Sequence, residues 1–145
     1  MKSKKRIRLA AAALAVAASA LAGSAIAAPT HGTATVTIRH QVRGCHAWSY
    51  NGGSYKASLA VHLVRGTTLT VVDSDVMPHK LVQTSGPSLR LTTPAMRHMS
   101  ATAHARLVKA GVYRFTTKAG EDYKWAGMPK TTGEDNVLRL TVTVR

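Results

Sequence analysis

The chain has 145 residues with one cysteine, one phenylalanine, and twenty Lys or Arg against six Asp or Glu, a formal net charge of +14. A single cysteine excludes an intrachain disulfide, the common staple of small exported domains, and so few aromatic rings leave no evident platform for stacking nucleic-acid bases. No stretch beyond the N-terminal segment is long and apolar enough to span a bilayer.

The N-terminus reads as an export signal. Lys2, Lys4, Lys5, Arg6 and Arg8 form a basic stretch without an acid. Residues 9–22 are then apolar except for Ser19, and Ala25-Ile26-Ala27 supplies a small-x-small cleavage site. That order marks a secretory signal, and the run is shorter and richer in Ala than the ~20 strongly apolar residues of a membrane span. We expect 1–27 to be the signal peptide and 28–145 one folded domain. The product would be secreted or held in the periplasm or cell envelope, and not membrane-spanning after cleavage. The signal takes five of the twenty bases and none of the six acids, so the domain keeps fifteen against six, a net charge near +9. Such a charge fits either plain solubility or an anionic envelope surface. The bases are scattered singly rather than run together, which favours solubility.

Strand patterns dominate the domain. From Ala34 to His40, small or apolar residues alternate with polar ones, the period of a half-buried strand. Leu59, Val61 and Leu63 share one face of the next run, and Leu69 and Val71 share one face of 67–72. Val64-Arg65-Gly66-Thr67 between them reads as a tight hairpin. A short apolar run, 79–84, follows Pro78. The runs 103–108 and 112–117 flank Lys109-Ala110-Gly111, a second hairpin signal, and 136–145 alternates Leu138, Leu140, Val142 and Val144 with Arg and Thr. About seven strands in 118 residues predict an all-β sandwich or barrel. Three connections are long: 41–57, 85–102 and 118–135, and loops on a rigid scaffold are where sites tend to sit.

Those connections hold most of the chemistry. The first carries Cys45, His46 and Trp48, the second Met96, His98 and Met99, and the third Glu121, Asp122, Tyr123, Trp125 and Met128. Taken singly, each has a structural reading. Cys45 is equally a small buried apolar residue, half of an intermolecular bridge, a reactive thiol or a metal ligand. The histidines fit exposed loops and the methionines fit core packing.

Three segments resemble the cupredoxins, small Greek-key β-sandwiches that hold copper at one end. Asp75-Val76-Met77-Pro78-His79-Lys80-Leu81 is similar to the family segment whose histidine is the first copper ligand. Gly111-Val112-Tyr113-Arg114-Phe115 resembles the strand leading to the ligand loop, and Ala126-Gly127-Met128 stands near the axial methionine of that loop. The resemblance implies a cupredoxin-like Greek-key fold with His79 as a ligand and Met128 as an axial one. The sequence departs from the pattern at Thr117, which stands where the family has cysteine, and no histidine follows His104.

A replacement ligand set comes from the first two long connections. If the loops after the first strand and before His79 share one end of the sandwich, then Cys45, His46, His79, His98, Met99 and Met128 gather there. Thiolate, imidazole and thioether together suit copper. Zinc takes the same Cys and His ligands but not the methionines. Glu121 and Asp122 are alternative ligands for a harder metal or partners to a ligating histidine, and Trp48 is expected to shield the site from water. The expected function is copper binding for electron transfer or copper handling, with a redox or copper-exchange protein as partner. The alternative is a metal-free envelope interaction module that uses the basic surface. No carboxylate pair, phosphate loop or triad spacing points to an enzyme.

Overall fold

The computed structural model describes residues 32–120 and 130–145. The signal at 1–27 and the candidates Glu121, Asp122, Tyr123, Trp125 and Met128 lie outside the described residues. Among these there is no helix, only strands, turns and loops.

Ten strands form two five-stranded sheets. The first holds β1 (Thr33–Gln41), β2 (Cys45–Tyr50), β4 (Thr68–Ser74), β6 (Leu91–Thr92) and β8 (Thr102–Arg106), in the order β2-β1-β4-β8-β6. The second holds β3 (Ser58–Leu63), β5 (His79–Ser85), β7 (Ala95–Met96), β9 (Gly111–Ala119) and β10 (Arg139–Val144), in the order β3-β10-β9-β5-β7. Seven of these were legible as alternating runs. The additional three are β2 and the two-residue strands β6 and β7. In β2 the expected loop is a strand whose alternation is masked, because Cys45, Ala47 and Ser49 on its second face are as buried as His46 and Trp48.

Alternation decides what enters the core. Ala34, Val36 and Ile38 of β1, Leu69 and Val71 of β4, Tyr113 and Phe115 of β9, and Leu140, Val142 and Val144 of β10 are all buried between the sheets with Trp48. Their neighbours at odd spacing are Thr or Arg, except Val72 and Val112. Burying a Leu or Phe side chain contributes about 1.5–3 kcal/mol, so this shared core is what joins the two sheets.

Both expected hairpins are corrected by that packing. The turn at Val64-Arg65-Gly66-Thr67 carries the chain from β3 in one sheet to β4 in the other, and Lys109-Ala110-Gly111 likewise leads from β8 to β9. Each flanking strand buries its apolar face against the same core from opposite sides, so the two do not pair with each other. The true hairpin is β1–β2, closed by 42–44, where Gly44 (φ +75°) and Cys45 (φ +60°) both take left-handed backbone.

Two parallel pairings set the poles. β1 runs parallel to β4, with Arg39 opposite Ser74. The β1–β2 turn and the 75–78 loop therefore open at the same end. His79 begins β5 at that end, opposite Ala119 of β9 and Met96 of β7.

Candidate metal centre

At this pole the chain builds a small pocket of polar groups around one loop. Asp73, fully buried at the end of β4, accepts the Asp75 N–H on Oδ1 (3.0 Å) and the His79 N–H on Oδ2 (3.1 Å). One carboxylate thereby fastens both ends of the 75–78 turn. Asp75 Oδ1 in turn accepts the Val76 N–H at 2.7 Å, which leaves Oδ2 turned away from the backbone. Pro78 confines Met77 to extended backbone, and the Pro78 carbonyl accepts the Gly120 N–H at 2.7 Å. A Cβ at Gly120 would stand 2.6 Å from the Pro78 ring, so only glycine permits this approach of β9 to the turn.

His46 reaches the same place from β2. Its Nε2–H donates to the Asn136 carbonyl at 2.8 Å, while Asn136 Nδ2–H donates to the His46 carbonyl at 2.7 Å. A carbonyl only accepts, so Nε2 carries the proton and Nδ1 carries the lone pair in the neutral ring. Burial first, then the neighbouring His79, holds the His46 imidazole below its usual pKa of 6.5. Neutral imidazole is the form that ligates metal.

The result is a cluster of three ligand-type side chains. His46, Asp75 and His79, all buried, each offer an atom lying within 4.8 Å of the others. His79 Nε2 stands 3.5 Å from Asp75 Oδ2, and the two imidazole rings meet edge to face with centroids 5.1 Å apart. His46 Nδ1, Asp75 Oδ2 and His79 Nε2 are all buried without a hydrogen-bond partner. Two donors about 2.0–2.1 Å from one ion at a tetrahedral angle are about 3.4 Å apart, close to the observed His79–Asp75 separation. The residues therefore fit a metal ion.

His79 has two differently occupied edges. Its Nδ1 lies 3.3 Å from the hydroxyl of Thr117. Its Nε2 edge faces Asp75 and His46. The cluster thus lies across the imidazole from Thr117, and the threonine hydroxyl orients the ring rather than joining the donors.

The other candidates are distributed unevenly. Cys45 is buried next to His46 in sequence but is not part of the three-residue cluster. His98 is exposed, its Nδ1 donating to the Met99 carbonyl at 2.9 Å, and Met99 is 48% exposed. Met96, directly across from His79, is fully buried and is the methionine that strand register sets beside the cluster. Trp48 faces inward two residues from His46 and is fully buried in the core.

Three residues at this pole escaped the sequence reading. Asp75 is one, although it stands in the motif that singled out His79. Asp73 is another; burial pushes its carboxyl up to about 6, against the opposing pull of its two N–H partners and of His79. The third is His40, the cross-strand partner of His46 on the same inward face, with both ring nitrogens buried and unpartnered. Continuation of the Ala34-Val36-Ile38 alternation to position 40 was its signal.

No protein-family model matches the sequence, and no characterised protein matches it by sequence. Solved structures are similar in shape. A purple cupredoxin from Nitrosopumilus maritimus shares 17% identity over 77% of this chain and 98% of its own, with a TM-score of 0.42. Amicyanin from Paracoccus versutus shares 16% over 77% of this chain and 81% of its own, with a TM-score of 0.38. A cysteine protease inhibitor from Entamoeba histolytica shares 9% over 80% and 99%, with a TM-score of 0.39. The architecture of this chain, two five-stranded sheets in the order given above, is a β-sandwich.

Proposed function

We propose that this is an exported copper-binding protein whose ion is held by His46, Asp75 and His79. The observation that carries the reading is the convergence of three buried donor atoms without a hydrogen bond, from β2, the 75–78 loop and β5. Each such atom left unsatisfied costs about 1–3 kcal/mol, and a shared cation would satisfy all three at once. Two imidazoles and a carboxylate suit a divalent ion, and among divalent ions such donors bind copper more tightly than zinc. The bound ion would supply Lewis acidity or one-electron chemistry. The chain's own residues orient it: Asn136 fixes the proton on His46, Thr117 turns His79, and Asp73 holds the loop that presents Asp75.

With no thiolate among the three donors, copper handling suits the site better than electron transfer of the thiolate type. On this reading the protein binds rather than catalyses, and a copper-exchange partner would approach the same pole. Purified protein titrated with Cu(II) should take up one ion per chain. His79→Ala should abolish uptake, while Cys45→Ser should leave it intact and free of a strong thiolate-to-copper band. Full binding in both His46→Ala and His79→Ala would defeat the assignment. Loss of binding in Cys45→Ser would shift the ligand set toward the thiol.

A further inference from the structure

Bases scattered singly along the chain are gathered by the register of the second sheet. On its outer face Lys80 of β5 lies directly opposite Lys118 of β9. Two residues along β9, Thr116 pairs with Arg139 of β10, and two residues further Arg114 pairs with Thr141. The alternating neighbours Leu81, Tyr113, Phe115 and Leu140 are buried, so the pleat turns all four cations outward. All four are exposed. They form a row four residues long, about 13 Å at about 3.3 Å per residue, flanked by a single strand on each side.

Among the described residues nothing acidic answers this row. Of the carboxylates among the described residues, Asp73 and Asp75 are buried at the pole, and Glu134 and Asp135 precede β10. Like charges directly opposite on paired strands destabilise the pair, so Lys80 and Lys118 carry a cost that no carboxylate among the described residues offsets. An anion lying between them would remove it.

The rest of the face narrows the class of anion. Between the cations stand Val82, Thr84, Thr116 and Thr141. Among the described residues there is no aromatic ring on this face on which bases would stack, and its apolar side chains, Val82, Val112 and Val137, are short rather than the Trp, Phe or Leu that enter a bilayer. The cations step across three adjacent strands, Lys80 and Lys118 side by side, then Arg139, then Arg114, a path that a flexible chain of charges can follow. Guanidinium forks and lysine ammonium groups are the usual recognition groups for phosphate.

We propose that the outer face of β5, β9 and β10 binds a linear, base-free polyanion of repeating phosphate groups. The binding draws on Lys80, Lys118, Arg139 and Arg114 and is independent of whether the pole takes a metal. Inorganic polyphosphate is the probe, and two variants of equal charge are compared. In one, Lys80, Lys118, Arg114 and Arg139 are all changed to Gln. In the other, the exposed bases Arg90, Arg97, Arg106 and Lys109 are changed instead.

The unaltered protein should show log affinity falling with log salt with a slope near −3, as about four contacts to a single chain imply. The face variant should lose at least about tenfold in affinity and most of that slope, whereas the control variant keeps both. Lys118→Gln alone should raise Tm while weakening polyphosphate binding, a pairing that a misfolded variant cannot produce. Equal losses in the two fourfold variants would overturn the proposal. So would tighter binding to an oligonucleotide, or to phosphatidylglycerol vesicles, than to polyphosphate.

Discussion

His46 and His79 differ from His98 and Met99 in a way that chain position alone does not reveal. His46, His98 and Met99 stand in segments that read as long connections, and His79 follows the short 75–78 loop. His46 and His79 occupy inward-facing positions of paired strands, and their rings are buried and held by Asn136 and Thr117. His98 and Met99 sit in an exposed turn where the His98 ring bonds only the adjacent residue's carbonyl. A donor becomes a ligand-grade group when a strand aims it and a second contact fixes which nitrogen is free. Proximity to a pole is not enough.

The sharpest way to break this comparison is to exchange the two pairs as targets. His46→Ala or His79→Ala should weaken Cu(II) binding by more than the about 10–100-fold that outer-shell changes cost, whereas His98→Ala and Met99→Ala should leave it within about threefold. Isothermal titration reads both, and a large loss in the second pair would reverse the ranking. A smaller effect separates donor from orienter. Thr117→Val keeps the volume but removes the hydroxyl beside His79 Nδ1, and should cost about tenfold in affinity with one ion still bound.

The smallest effect concerns stability and pH. The Asp73 carboxyl titrates at about 6 in the folded protein, against 3.8 ordinarily. Between those values the folded state keeps a proton that the unfolded state has released, so stability contributed by this group is fullest at the acid end and falls as pH rises toward 6. Urea midpoints of the metal-free protein at pH 4.5 and 6.5, compared with Asp73→Asn, should show that the variant lacks this decline. An identical pH profile in the two proteins would mean that the carboxyl is not perturbed.

The fold was largely readable, and the site only in part. Seven strands and the sandwich follow from strict alternation in segments such as Ala34–His40 and Leu138–Val144, where one face is apolar and the other polar. β2 was hidden because both its faces are buried, which erases the period. The two expected hairpins failed for a related reason: a Gly turn marks a reversal but does not say whether the next strand pairs or crosses to the other sheet. At the site, His79 was visible through its motif and His46 through its loop. Asp75 was read past because carboxylates in a loop are ordinarily solvated, and only the hydrogen bonds of Asp73 turn this one inward. Cys45 drew attention as the single thiol, yet the cluster forms from its neighbour.

The parallel pairing of β3 with β10 has a consequence for how the molecule comes into being. It joins Ser58–Leu63 to Arg139–Val144, so β3 waits for a strand that follows every other strand in the chain order. β10 also lies between β3 and β9, which makes the C-terminal segment an interior strand of its sheet rather than an edge. Pairings of such long sequence separation slow folding. A chain still emerging from the ribosome would hold β3 and β9 without their common neighbour, and the second sheet would close only once β10 has been made.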